Sequence, residues 1–308
     1  MNTYLKYQPP GVQLVAFLGL AMGFMVVSGL ITYFFFSDLT AVLLDKNAVI
    51  QPALVVQFKV AQLLSAILSF LVPALLFGYF SSPRSMPYVG LQKSISPELI
   101  AASVLILVAV QPFVGWIGEL NSMINFGSLQ KAMQEAEAGY TRALQAFLRM
   151  DDAGDLIINL LIMALLPAIS EELFFRGALQ KVMHRLMKMP VFAILFSSAV
   201  FAVLHGTIFK FLPIFALGLM LGTIYHVTRN IWYTIIIHFL NNALAVLAVY
   251  FSNKSEMIKK LANDDISIAW YVAAISLVAT AAIIYFMRKK SDEVLPAHVT
   301  DEDNDYIA

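Results

Sequence analysis

The chain of 308 residues contains no cysteine. It therefore has no disulfide framework, no thiolate metal ligand and no cysteine nucleophile. Charged residues are also scarce, at 13% of the sequence against about 25% in typical soluble domains. Basic and acidic side chains number 20 each, so no excess of positive charge indicates a nucleic-acid partner. The sequence shows no internal repeat.

Apolar residues dominate what remains. The chain is 60% hydrophobic with a mean hydropathy of +0.77, more than one water-soluble core can bury, so lipid must be the solvent for much of it. A bilayer core of roughly 30 Å needs about 20 apolar residues per helix. The sequence therefore predicts an all-α, polytopic transmembrane helix bundle. About eight spanning helices are expected, near residues 11–36, 60–80, 97–118, 156–178, 190–208, 211–228, 231–250 and 268–287.

The distribution of basic residues predicts the orientation. An even number of spans places both termini on one side of the membrane. Lys and Arg are more numerous in the connections on that side, which favours a cytoplasmic position. We therefore expect a multi-pass integral protein of the plasma membrane with both termini in the cytoplasm. The first apolar stretch is longer than the roughly 7–15 residues of a signal-peptide core, so it is interpreted as a retained span.

The pattern along the chain predicts five segments. They are three N-terminal membrane helices (1–120), a connecting segment (121–155), a helical core that carries the chemistry (156–250), a loop with the last membrane helix (251–290) and a disordered acidic tail (291–308). The connecting segment contains apolar residues at spacings of three and four, namely Leu129, Met133, Ala136, Tyr140, Leu144 and Phe147. This spacing is typical of an amphipathic helix. We expect it on the membrane surface or capping the bundle, and a role in substrate gating is the alternative.

Ionisable side chains inside the predicted spans are few and lie on three helices. Each costs about 2.5–3.5 kcal/mol on insertion scales, so their retention indicates a function. The polar residues concerned are Glu171, Glu172 and Arg176 in the fourth span, His205 in the fifth, and His238, Asn241 and Asn242 in the seventh. If successive helices form antiparallel hairpins, their rise of about 1.5 Å per residue brings these side chains to similar heights in the membrane. The sequence therefore predicts one cluster.

Helical spacing assigns different roles within this cluster. His238 and Asn242 are four residues apart and share a helix face. Glu172 and Arg176 are also four apart, in the acid-before-base order that favours an ion pair. Glu171 has no such partner on its own helix and is the better candidate for a reactive carboxylate.

Two kinds of hydrolytic chemistry fit these residues. A carboxylate beside a histidine can take a proton from water, and a histidine and an amide facing the same point can stabilise an oxyanion. Together they support amide hydrolysis without a cofactor, which is the favoured interpretation. Alternatively, Glu171, His205 and His238 bind zinc, since two His and one Glu form a known catalytic ligand set. The H-E-x-x-H signature is absent.

Three short motifs resemble those of a known family. E-E-x-x-x-R at Glu171–Arg176, F-x-x-x-H at Phe201–His205 and H-x-x-x-N at His238–Asn242 look like the motifs of the CPBP family. That family includes type II CAAX prenyl endopeptidases, bacteriocin-processing enzymes and Abi proteins. Each motif alone is weak, but three in order on hydrophobic helices are strong. The resemblance covers about residues 155–250.

The resemblance implies a helical membrane peptidase of the glutamate type or the metallo type. In it, Glu171 and His205 would activate water, and His238 with Asn242 would form the oxyanion site. The other two charged residues of the first motif would organise it. The expected partners are the lipid bilayer and a membrane-associated peptide substrate, CAAX-like or lipid-tethered. No particular substrate and no oligomeric state follow from the resemblance.

Two functions of other classes remain as alternatives to an intramembrane endopeptidase. Buried Glu, His and Arg also mark the ion pathways of transporters, although that class is typically built from inverted repeats with interrupted helices, and none is visible. A non-enzymatic immunity protein or scaffold on the same fold is the other alternative. Since all motif residues are present, an activity measurement decides between such a protein and an active peptidase.

Overall fold

The computed structural model describes residues 4–39, 51–92, 95–252, 254 and 267–294. Within these ranges the regular structure is helical and contains no strand. Helices longer than ten residues are numbered in chain order: α1 (Pro10–Phe35), α2 (Pro52–Ala66, continued by Ile67–Leu71 and Val72–Ser81), α3 (Pro97–Ser122), α4 (Gln130–Phe147), α5 (Ala153–Met187), α6 (Pro190–Leu204), α7 (Phe211–Thr228), α8 (Ile231–Ser252) and α9 (Trp270–Val294).

The all-α membrane bundle predicted from the sequence is confirmed, with one change in the number of spans. Seven of the described helices are long and apolar enough to cross a membrane, namely α1, α2, α3, α5, α7, α8 and α9. The fifth predicted span corresponds to α6, which has only 15 residues and ends at Leu204. It ends there because Gly206 adopts a φ of 70°, in the left-handed region that stops a helix.

Several boundaries also differ from those predicted. Helix α2 begins at Pro52, eight residues before the predicted start, because proline at the first helical position leaves no amide unsatisfied. Helix α9 continues to Val294, so the first four residues of the segment expected to be disordered are helical. There, Ser291 Oγ donates to the Val227 carbonyl at 2.9 Å and fixes this end of α9 on α7. Residues 295–308 lie outside the described ranges.

Helix α5 is the centre of the bundle. Its segment Leu173–Gln180 is buried throughout and has π-helical hydrogen bonding, which widens the helix. One apolar core joins α5 to α1 and α2, with Phe174 packed against Phe17 and Phe70. A second core joins α3, α7, α8 and α9. Large apolar side chains on the outer faces of α1 and α9 remain exposed, as expected of helices that face lipid.

Glycines allow the helices around α5 to approach closely. A Cβ added at Gly218 of α7 would lie 3.0 Å from Ser198 Cβ of α6, and one at Gly222 would lie 2.9 Å from Gln180 Oε1 of α5. A Cβ at Gly177 of α5 would lie 2.6 Å from the Val89 carbonyl oxygen, which is backbone and cannot rotate away. Helix α5 is therefore in close contact with the backbone at Val89 on one side, and its Gln180 side chain is in close contact with α7 on the other.

The Gly177→Ala substitution tests this close packing. Alanine ordinarily favours a helix over glycine by about 1 kcal/mol, but here we expect a loss of about 1–3 kcal/mol through overpacking. Thermal unfolding in detergent micelles measures the effect. Gly23→Ala in α1 is the matched control, since a Cβ there meets nothing within 4 Å. An unchanged or raised melting temperature for Gly177→Ala would contradict the close approach.

Candidate active site

Two adjacent carboxylates on α5 have opposite surroundings. The side chain of Glu172 is 0% exposed, whereas that of Glu171 is 16% exposed. Successive residues of a helix are rotated by about 100°, so neighbours in sequence can face different elements. Glu172 faces His238 of α8 in the interior, and Glu171 lines a cavity. The local geometry of α5 thus separates one enclosed acid from one accessible acid.

Glu172 is the centre of a buried charge network. Its Oε1 lies 3.1 Å from Arg176 Nη1 and accepts from His238 Nδ1 at 2.9 Å. Arg176 Nη2 donates to the Gly218 carbonyl at 3.1 Å, and the guanidinium stacks on Phe201 at 4.8 Å from its ring centre. This network joins α5, α6, α7 and α8 and fixes the orientation of the His238 ring.

His238 also faces the accessible acid. Its Nε2 lies 3.8 Å from Glu171 Oε2, so the imidazole lies between the two carboxylates of α5. Because the carboxylate can only accept, Nδ1 carries a proton and donates it to Glu172. When Nε2 is also protonated, its N–H points toward Glu171 and the adjoining space. His238 therefore donates from Nδ1 to Glu172 and presents Nε2 to Glu171, and Nε2 is a donor only in the doubly protonated ring.

His205 also uses Nδ1 as a donor, to a backbone carbonyl instead of a carboxylate. Its Nδ1 lies 2.7 Å from the Phe201 carbonyl, which can only accept, so the proton of the neutral ring resides on Nδ1. The lone pair then resides on Nε2. The ring packs on Phe201 at 4.4 Å between ring centres and is half-buried at the end of α6. His205 is therefore held as a proton acceptor.

Glu171 and His205 line the same cavity, of about 390 Å³. The remaining lining residues are Met25, Gln62, Ser65, Ser69, Phe70, Tyr140, Phe175 and Leu204, from α1, α2, α4, α5 and α6. The cavity thus combines a carboxylate and an imidazole with further polar side chains inside an apolar bundle. It has room for water and part of a substrate.

Asn242 lies one turn beyond His238 on α8. It is half-buried, and its amide oxygen accepts from Asn241 Nδ2 at 3.4 Å. It shares the helix face of His238, but it is not among the residues that line the cavity. The structure therefore brings Glu171, Glu172, Arg176 and His238 into direct contact, with His205 on the shared cavity and Asn242 beside them.

The zinc alternative requires Glu171, His205 and His238 to converge on one point. Among the described residues, no group of three or more His, Asp or Glu side chains is arranged to hold a metal ion. Nδ1 of His238 is bonded to Glu172 and Nδ1 of His205 to a carbonyl, so Nε2 is the nitrogen of each ring that could ligate a metal. The three side chains therefore do not converge on one point in this structure.

Four polar residues that line the cavity are not among the site residues predicted from the sequence. Gln62, Ser65 and Ser69 follow one another at spacings of three and four on α2, and Tyr140 projects from α4. The sequence of α2 contains a pattern that could have identified them, since polar residues that recur on one face of an apolar span indicate a face turned toward the interior of the bundle. Tyr140 gave no such signal, because it fits the apolar face of an amphipathic helix.

Comparison with known proteins agrees with the motifs. Residues 153–244 match the family model of the type II CAAX prenyl endopeptidases described as Rce1-like, and this region includes all three motifs. The match covers under a third of the 308-residue chain. A comparison with curated proteins and one with solved structures found no match. The family resemblance inferred from the motifs is confirmed by the family model.

Arg176→Gln tests the buried charge network. It removes the cation and leaves the carboxylate of Glu172 with His238 alone, and breaking a fully buried pair costs about 3–5 kcal/mol. We expect a marked fall in the thermal unfolding midpoint. The matched control is Arg149→Gln, which removes the exposed Arg149–Asp151 pair and should cost about 1 kcal/mol or less. Equal effects of the two substitutions would contradict the central role of Glu172.

Proposed function

We propose that the protein is an intramembrane endopeptidase in which Glu171 and His205 activate water, on the premise that residues 153–244 match the family model of the Rce1-like type II CAAX prenyl endopeptidases. One observation carries the proposal. A carboxylate from α5 and an imidazole acceptor from α6 line one cavity within an otherwise apolar bundle. Within the described residues, neither side chain forms an ion pair with Lys or Arg, whereas Glu172 pairs with Arg176.

The first chemical step is the attack of water on the peptide carbonyl. A water molecule between Glu171 and Nε2 of His205 gives its proton to one of these bases as its oxygen bonds to the carbonyl carbon. The carbonyl π electrons move to oxygen and form an oxyanion. General-base assistance of this kind contributes about 10²–10⁴ in rate.

The second step is the collapse of the tetrahedral intermediate. The oxyanion re-forms the carbonyl, the C–N bond breaks, and the amine leaves with the proton that the base had taken. The products are a carboxylic acid and an amine, which ionise to a carboxylate and an ammonium group. The oxyanion needs donors, and Nε2–H of a doubly protonated His238 and the Asn242 amide are the proposed pair. Loss of one such donor costs about 2.7–4 kcal/mol.

Glu172 and Arg176 act through His238 rather than on the substrate. The Glu172 carboxylate accepts from His238 Nδ1, which fixes the ring and leaves Nε2 as the nitrogen that faces Glu171. Arg176 balances the charge of Glu172 and ties it to α7. These two residues are therefore positioning residues.

The proposed substrate is a peptide attached to or inserted in the membrane. The cavity is lined by polar and apolar side chains and lies among membrane helices. The family model that matches is described as a CAAX prenyl endopeptidase, so a peptide ending in a prenylated CAAX sequence is the first substrate to test.

Activity measurements on purified protein test this function. We expect the wild type to cleave a quenched fluorescent peptide that ends in a farnesylated CAAX sequence. Glu171→Gln and His205→Asn should each lower kcat by about 100-fold or more, since each removes a proton acceptor. Their thermal unfolding midpoints should change little. Glu293→Gln, an exposed acid at the end of α9, is the control and should retain full activity.

The same assay distinguishes the two chemical types. Without a metal requirement, preincubation with 1,10-phenanthroline leaves the rate unchanged. Loss of activity that zinc restores would support the metal type. Full activity of Glu171→Gln would overturn water activation by this residue.

A further inference from the structure

The cavity wall opposite the catalytic helices comes from a part of the chain that the family match does not cover. Gln62, Ser65 and Ser69 belong to α2, and Tyr140 belongs to α4. All four precede residue 153, where the family match begins. They share the cavity with Glu171 and His205 but have no part in the proposed proton transfers.

The three α2 residues lie along one helix face. Gln62 and Ser69 are separated by seven positions, or roughly 10 Å at a rise of about 1.5 Å per residue. An extended peptide covers this length in about three residues. Ser69 lies within Ile67–Leu71, where the hydrogen bonding of α2 is π-helical, a feature that recurs at functional sites. The face therefore has the length of a short extended peptide.

These polar groups have unused hydrogen-bonding capacity. Within the part of the chain that the structure describes, the side chains of Gln62, Ser65, Ser69 and Tyr140 have no hydrogen-bond partner. A serine in a membrane helix ordinarily bonds to the carbonyl four residues earlier, as Ser103 bonds to Leu99. None of these four side chains has an unpaired polar atom that is fully enclosed, so their polar groups face the cavity and can bond a group that enters it.

Gln62, Ser65 and Tyr140 also line a second cavity. This cavity, of about 360 Å³, shares these three residues with the first. Its other walls are mostly apolar and are formed by Thr32, Leu39, Phe58, Ala61, Ala143, Leu144, Phe147 and Met163. The shared residues therefore form a polar collar between a polar cavity and an apolar one.

We propose that Gln62, Ser65, Ser69 and Tyr140 bind the backbone of the peptide substrate in an extended conformation, next to the bond that Glu171 attacks. This inference rests on the proposed function. The backbone of an extended peptide carries donors and acceptors that need partners inside the bundle, and the three residues of the collar together with Ser69 supply both kinds. Gln62 donates and accepts, the serines do the same, and the Tyr140 hydroxyl donates.

The position of α4 supports the role of Tyr140. Glu137, one turn earlier, accepts from Thr207 Oγ1 at 2.6 Å, which ties α4 to the loop just after His205. Burial and the carboxylates of Glu137 and Glu171 raise the pKa of Tyr140, so its phenol remains a donor at neutral pH. Tyr140 is thus held near the catalytic carboxylate.

Conservative variants and a modified substrate test the collar. Gln62→Met and Tyr140→Phe remove the polar groups and keep the size of the side chains. We expect each to raise KM for the farnesylated CAAX peptide about two- to twelvefold, the effect of one hydrogen bond, with kcat little changed. Matched controls are Gln57→Met on the same helix and Tyr285→Phe on α9, which line neither cavity. Both should have the KM of the wild type.

A peptide with one backbone amide replaced by an ester localises the contact. The ester removes a backbone N–H, so it should weaken binding to the wild type but have a smaller effect on the variant whose side chain met that N–H. Such coupling is not expected from a residue that only supports the fold. Unfolding midpoints of Gln62→Met and Tyr140→Phe should match that of the wild type.

Binding measured in the Glu171→Gln background separates this inference from the proposed function. The dissociation constant of the fluorescent farnesylated peptide reports on the collar without cleavage. Weaker binding by Gln62→Met and Tyr140→Phe supports the collar even if the wild type cleaves nothing. Wild-type cleavage with unchanged KM and affinity in both variants would overturn the collar and leave the function intact. A protein that binds no peptide would contradict both.

Discussion

The central constraint on this molecule is that a charge inside an apolar bundle must have a partner. Arg176 is 1% exposed and Glu172 is fully enclosed, so neither is stable alone in this interior. Their pair reaches α7 through the carbonyl of Gly218 and α8 through His238. Gly218 has no side chain to hold α6 and α7 apart. The central packing of four helices therefore depends on one buried charge pair.

The same pair determines which acid is free to react. Because Glu172 is bonded to Arg176 and His238, the adjacent Glu171 is the carboxylate left to line the cavity. His238 lies between the two and transmits the orientation fixed by Glu172 to the reactive side. The enclosed acid thus organises the site and the open acid performs the proposed chemistry. Two neighbours in sequence divide these roles because a helix rotates by about 100° per residue.

Much of this arrangement follows from the sequence, since hydropathy identifies membrane helices and a spacing of four identifies helical neighbours. The Glu172–Arg176 spacing and the lack of a partner for Glu171 on its own helix are examples. The rotation of α8 about its axis does not follow, so the bond between His238 and Glu172 was not anticipated. The π-helical segments of α2 and α5 depend on packing between helices, which local sequence does not encode. The position of Tyr140 in the cavity wall does not follow from the sequence for the same reason, because it depends on how α4 packs over the cavity.

The most direct measurement uses the absence of cysteine, since an introduced thiol is the only one in the chain. Glu171→Cys and Glu172→Cys are each exposed, folded, to a water-soluble thiol reagent, and labelling rates are followed by mass spectrometry. We expect the thiol at 171 to react much faster than the thiol at 172, with equal rates after denaturation. Equal rates in the folded protein, or a protected thiol at 171, would contradict an accessible catalytic carboxylate beside an enclosed one.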